Sequence, residues 1–188
     1  MYKKKILIPI LLISISTILI ILFFEISLRI SYSYFANYNT EMWRYSKELK
    51  VPEDNPNLPF VHRKNIIENL YGVEFITDEN GFRIGENKEE RIETRKILFL
   101  GDSFTVGWGV SFDSTISNLV EGFFETSTNI ESINMGCGNY NTIMEVELFR
   151  QKGISLKPEI AILSFYINDL EDTPRLLSNF EYYFMTNF

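Results

Sequence analysis

Ser103 is the residue best placed to do chemistry. It follows the apolar run Ile97-Leu98-Phe99-Leu100 within Gly101-Asp102-Ser103-Phe104, the pattern of a buried strand ending in a tight turn that presents a hydroxyl. Two more polar motifs follow strand-like runs in the same way, Asn134-Met135-Gly136-Cys137-Gly138-Asn139 and Ile167-Asn168-Asp169. The chemistry that fits is acyl transfer. A serine hydroxyl attacks a carbonyl, while backbone N–H groups of Ser103 and of the Gly-rich loop, joined by the Asn168 amide, meet the developing oxyanion. Such a donor is worth about 2.7–4 kcal/mol in serine hydrolases, enough to justify a dedicated loop. Taken singly, the three motifs have plainer readings as a turn, a bend and a cap; it is their joint placement that points to a site. No histidine follows Ser103. His62, the single histidine, lies near Pro59 with no acid or serine at a catalytic spacing, and is read as a surface or packing residue.

The elements that must position these residues alternate from Lys96 onward. Ile97 to Leu100 is continuously apolar, as expected of a strand covered on both faces. Asp113 or Ser114 can cap a helix whose Ile116, Leu119, Val120, Phe123 and Phe124 form one apolar stripe over the sheet. Ile130 to Met135 reads as a second strand. Thr142-x-x-Glu145 reads as a capping box opening a helix that turns Ile143, Val146 and Phe149 inward and ends at Gly153. Pro158 precedes a third strand, with Ile160 to Ile167 nearly all apolar and an apolar edge left unpaired. Right-handed crossovers set the three strands side by side, and in such sheets ligands bind beyond the carboxyl ends of the strands. Ser103, the Gly136–Asn139 loop and Asn168 therefore share one rim. A phosphate loop is excluded, since Gly101 to Thr105 lacks the second glycine and the lysine that such a loop needs. A flavin or nucleotide module at the same strand ends is a weaker alternative.

The N-terminus carries a different signal. Ile6 through Phe24 is an uncharged run of nineteen residues, long enough at 1.5 Å per residue to cross a hydrocarbon core of ~30 Å as a helix. Lys3, Lys4 and Lys5 precede it, so a cytoplasmic N-terminus and an extracytoplasmic remainder are expected. A cleaved signal peptide is the rival, but its apolar core is shorter and no small-x-small cleavage site follows. Tyr32, Tyr34, Phe35 and Tyr38 fall where an interfacial aromatic belt sits. Between this segment and Lys96, Pro52, Pro56 and Pro59 interrupt regular structure. Val73 to Ile84 there reads as a hairpin turning at Asn80-Gly81, a pair suited to two positive φ angles. A net charge of -7 without a basic stripe argues against nucleic-acid binding, and one cysteine excludes an internal disulfide or a zinc cluster. No metal or organic cofactor is implied by these residues.

The run Ile97 to Val110, including Gly107-Trp108-Gly109, resembles the first block of the SGNH, or GDSL-type, esterase and lipase superfamily, in the form seen in its membrane-anchored members. Asn134 to Thr142 resembles the second block and Phe165 to Asp169 the third, while Asp78 to Arg83 looks like the extension those members carry before the domain. The resemblance implies an α/β fold, a partial doubly wound, flavodoxin-like parallel sheet behind an N-terminal transmembrane helix. It divides the chain into an anchor (1–30), a stalk or extension with a hairpin (31–95) and the N-terminal part of an SGNH-like domain (96–188). It makes Ser103 the nucleophile, forms the oxyanion hole from the N–H groups of Ser103 and Asn139 and the Asn168 amide, and leaves Asp102 a turn residue. The implied substrate is an acylated glycan or lipid outside the cytoplasm, hydrolysed or used in O-acyl transfer. Asn139 stands where the family usually has glycine, Tyr166 where the third block often begins with one, and the closing Asp-x-x-His block is absent. The chain is therefore expected to be truncated before that block and, lacking a base, inactive alone. The alternative is a non-catalytic anchored binding or assembly module.

Overall fold

The computed structural model describes residues 2–34, 38–86, 94–124 and 129–170, and the chain divides into two units, Met1–Tyr38 and Asn39–Phe188. In the first unit the apolar run lies within a single helix, α1 (Tyr2–Tyr34), with Pro9 near its start, where a missing N–H costs least. Its segment Ile8–Ser31 has a mean hydropathy of 2.5 and is long and apolar enough to cross a membrane. Ser16 and Thr17 donate their hydroxyls to the carbonyls of Leu12 and Ile13, which satisfies both polar groups inside the helix. Glu25 pairs with Arg29 one turn on, at 2.7 Å. Tyr38 is exposed, while Tyr32, Tyr34 and Phe35 lie outside the described side chains.

The second unit begins within a short helix, α2 (Tyr38–Arg44), which widens into a π turn at Tyr45–Leu49. Strands β1 (Lys50–Pro52) and β2 (Phe60–His62) then pair antiparallel, Lys50 opposite His62. Strands β3 (Ile67–Leu70), β4 (Val73–Thr77) and β5 (Arg83–Ile84) form an antiparallel meander. After it come β6 (Arg95–Leu100), α3 (Ser103–Val106), α4 (Ile116–Phe124), β7 (Ile130–Asn134), α5 (Thr142–Leu148) and β8 (Ile160–Leu163). The main sheet runs β3-β4-β5-β7-β6-β8. As the crossover argument requires, β7, β6 and β8 are parallel neighbours with β6 in the middle.

The sheet as a whole is mixed rather than parallel. β5 joins β7 antiparallel through Arg83 opposite Asn134, so the hairpin region extends the sheet by three strands. Tight turns suffice for antiparallel pairing, which is how so short a segment adds three strands. The β4–β5 hairpin is made differently from the expectation of two positive φ angles. Only Gly81 is left-handed, at φ 83°, and the Asp78 carboxylate accepts the N–H groups of Asn80 and Phe82 in an Asx turn.

The core follows from the alternation along β6. Ile97 and Phe99 pack with Ile130, Val120 and Phe124 of the α4 side, while Leu98 and Leu100 pack with Met144 and Leu148 of α5. Two helix expectations need correction. The α4 stripe splits, for Val120 and Phe124 face the sheet while Ile116, Leu119 and Phe123 stay exposed. The α5 cap is Asn141, whose side chain accepts from the Met144 N–H at 3.0 Å; Glu145 serves no cap and turns inward with Met144 and Leu148, while Ile143 and Val146 are exposed. Spacing identifies a stripe but not which edge of it meets the sheet. The third strand lies at an edge, every residue of β8 exposed beside its one neighbour β6. The aromatic tail Phe180, Tyr182, Tyr183, Phe184 and Phe188 lies outside the described residues.

Candidate active site

The turn after β6 is shaped by what a side chain would strike. A Cβ on Gly101 would lie 2.0 Å from Thr105 Oγ1, so only glycine lets the strand fold so closely onto the helix that follows. Asp102 caps α3, its Oδ1 accepting the Phe104 N–H at 2.9 Å, and Ser103 becomes the first helical residue, partly exposed. The far end of α3 is secured by Arg83. Its buried guanidinium donates to the carbonyls of Val106 (2.8 Å), Gly107 (2.6 Å) and Val110 (2.8 Å) and stacks over Phe75 at 4.6 Å. Burial lowers its pKa to about 10, so the charge stays and meets the negative end of the helix. The run Asp78 to Arg83 thus has a physical role, since its Asx turn aims an arginine at the helix that begins with Ser103.

The second loop is laced to the same turn. The Cys137 N–H donates to Gly101 O at 3.0 Å, and Asn134 Nδ2 donates to Thr105 O at 2.8 Å. Gly136 lies so near α3 that a Cβ would sit 2.4 Å from Val106 N. Beyond it Asn139 is exposed with φ 67°, a left-handed conformation that asparagine tolerates better than most residues. The third motif reaches the turn from the end of β8, where Asn168 Nδ2 donates to Asp102 Oδ2 at 3.0 Å. The structure therefore brings the Gly-rich loop to the serine turn through Gly136 and Cys137, and Asn168 to it through Asp102, while Asn139 stands two residues beyond the Cys137 bond. Among the described residues neither the Ser103 nor the Asn139 N–H has an acceptor, and Asn168 keeps a second amide hydrogen. Beside them the exposed rings of Phe104 and Tyr166 touch, with centroids 4.7 Å apart.

His62 is not brought to Ser103 as a base. It is buried on β2, its Nε2 lies 2.6 Å from the Tyr45 hydroxyl, and the ring also hydrogen-bonds the Gly81 backbone. Burial first, then the nearby Lys50 charge, depresses its pKa to about 3 and keeps it neutral. It is a packing residue, as the sequence indicates, though of the core rather than the surface.

Sequence reasoning missed four buried polar residues. Arg83 lay in a recognised motif and Glu145 in an apparent capping box, while Tyr45 and Lys50 carried no signal of their own. Glu145 is fully buried with neither carboxylate oxygen bonded among the described residues. Burial, followed by the charges of Asp169 and Asp102, raises its pKa to about 8. Asp169 holds the third motif by accepting the Tyr166 N–H at 2.6 Å, and burial, with Asp102 adding to it, raises its pKa too. Three acids thus underlie the serine turn. No group of histidine, cysteine or acidic side chains among the described residues is arranged to hold a metal ion.

No family model matches the chain, and no curated protein does. Among solved structures, AlinE4, an SGNH-hydrolase family esterase, matches at 26% identity and a TM-score of 0.36. The match covers 43% of this chain and 44% of that one, and two single-residue mutants of the same esterase match over the same extent. The chain spans less than half the length of these structures.

Proposed function

We propose that the chain carries the nucleophile of a serine ester hydrolase or O-acyl transferase. Its substrates are acylated glycans or lipids outside the cytoplasm, and α1 is a single-pass anchor with a cytoplasmic N-terminus. One observation carries the proposal: a partly exposed serine at the head of a short helix, whose N–H, like that of Asn139, has no acceptor among the described residues, and a side-chain amide tethered to the same turn. These are the donors that an acyl-transfer oxyanion needs, and the serine supplies the attacking oxygen. Exposed Phe104 and Tyr166 offer an apolar wall for an acyl chain. The three SGNH-like blocks in the sequence support the same reading, and the positive residues before α1 support the orientation.

A second reading has its own observation. The ring of His62 is engaged with Tyr45 in the core rather than with Ser103, which favours a non-catalytic anchored module that binds through the same rim. One experiment separates the two. The chain in detergent is treated with a fluorophosphonate, with and without added imidazole as external base, and the adduct is mapped by tandem mass spectrometry. Imidazole-dependent modification of Ser103, absent in Ser103→Ala, is the expected result. Modification elsewhere, or none, sinks the acyl-transfer reading in favour of the binding module.

A further inference from the structure

The loop that carries Asn139 is gripped from behind by residues outside the three motifs. Lys50 is wholly buried, and its Nζ donates to Gly138 O at 2.7 Å and to Asn139 Oδ1 at 2.9 Å. Tyr45 is also wholly buried; its hydroxyl accepts the Gly138 N–H at 2.7 Å and lies 2.6 Å from His62 Nε2. Gly138 fits so closely that a Cβ would come within 2.8 Å of the Tyr45 ring. Among the described residues no carboxylate lies within ion-pair distance of Lys50; the rings of Phe60 and Tyr45 face its ammonium at 4.2 and 4.8 Å. A buried ammonium without a counter-ion is costly for the fold, so its placement calls for another reason.

We infer that Tyr45 and Lys50 are positioning residues of the site: together they hold the Gly138–Asn139 turn so that Asn139 keeps the left-handed conformation that leaves its N–H available to an oxyanion at Ser103. This rests on the acyl-transfer reading above. The groups around the lysine are Tyr45, His62 and Cys137, with Arg83 and Lys152 also acting on His62, and burial lowers the lysine pKa to about 8. Above that pH the ammonium becomes an amine and its grip on the two oxygens weakens. Stability moves the other way. The folded-state pKa lies below the ordinary lysine value, so between about 8 and 10.5 the unfolded chain binds the extra proton and this group's contribution to stability rises with pH.

The test uses Lys50→Met and Tyr45→Phe in the full chain, reading thermal unfolding, the imidazole-assisted rate of Ser103 phosphonylation, and the amide NMR signals of Gly138 and Asn139. Lys50→Met is expected to unfold no more easily than wild type yet to react roughly tenfold more slowly at neutral pH, less than the ~10²–10³ lost on deleting an oxyanion donor. The gap closes as pH passes about 8. Tyr45→Phe moves the same amide signals and slows the same reaction. Unmoved Gly138 and Asn139 signals in both variants overturn the inference whether or not Ser103 reacts, and moved signals with an unchanged rate overturn it as well. If wild-type Ser103 never reacts while both variants move the amides, the acyl-transfer reading has failed and the clamp itself stands.

Discussion

The two flanks of the serine turn are built on opposite principles. On the β5–β7 flank, buried long side chains reach across the fold: Arg83 caps the end of α3, while Lys50 and Tyr45 hold the second loop. On the β8 flank every strand residue is exposed, and Asn168 is joined to the turn by one bond to Asp102. The difference teaches where rigidity is placed. Two of the three oxyanion donors proposed here sit on backbone that many contacts fix, and the third sits on an edge that few contacts hold. Reactivity and stability should therefore separate along this line.

Arg83→Leu attacks the fixed flank and has the largest expected effect. The carbonyls of Val106, Gly107 and Val110 lose their donor at ~1–3 kcal/mol each, and that of Glu74 a longer bond, partly offset by relief of the buried charge, so a loss of about 3 kcal/mol is expected in urea unfolding. Ser103 reactivity should fall with it, because α3 loses the group that holds its end. A loss below ~1 kcal/mol would mean that the flank is not held as described.

The same division governs what the sequence revealed. Strands β6, β7 and β8, the helices between them and the Ser103 turn were legible because each is a local pattern: an apolar run, a helical spacing, a glycine at a turn. The hairpin was legible from Asn80-Gly81, although Asp78, through its Asx turn, does much of the shaping. Tyr45, Lys50 and Arg83 were not, since their partners lie far along the chain and nothing local marks a lysine or arginine as buried. Glu145 misled for a related reason. It stands at the third position of an apparent capping box, but Asn141 caps one residue earlier, and that offset turns the carboxyl toward the core. The single sequence therefore marked the site more clearly than the residues that hold it.

Glu145 lies beneath both flanks, and its titration sharpens the comparison. Its folded-state pKa, about 8, exceeds the ordinary 4.5, so between those values the folded chain keeps a proton that the unfolded chain releases. Its contribution to stability is full below about 4.5 and is lost as pH rises through about 8. Glu145→Gln keeps the size and removes the ionisation. It should flatten the fall in Tm across that window and leave the variant more stable than wild type by about 1–3 kcal/mol at the alkaline end. Parallel wild-type and variant curves would show that the buried carboxyl does not hold its proton.

Asn168→Ala addresses the open flank and carries the smallest expected effect on stability. The amide is partly exposed and donates one hydrogen bond, at 3.0 Å, so its loss should cost no more than about 1 kcal/mol. Its expected effect on chemistry is far larger, ~10²–10³ in the imidazole-assisted reaction of Ser103, because an oxyanion donor acts on charge that appears only in the transition state. Unfolding and reaction rate are measured on the same preparation. A large loss of stability would show that Asn168 fastens the β8 edge to the turn and that the two flanks are not so different. An unchanged fold with an unchanged rate would instead remove Asn168 from the oxyanion site, leaving only the two backbone donors of the fixed flank.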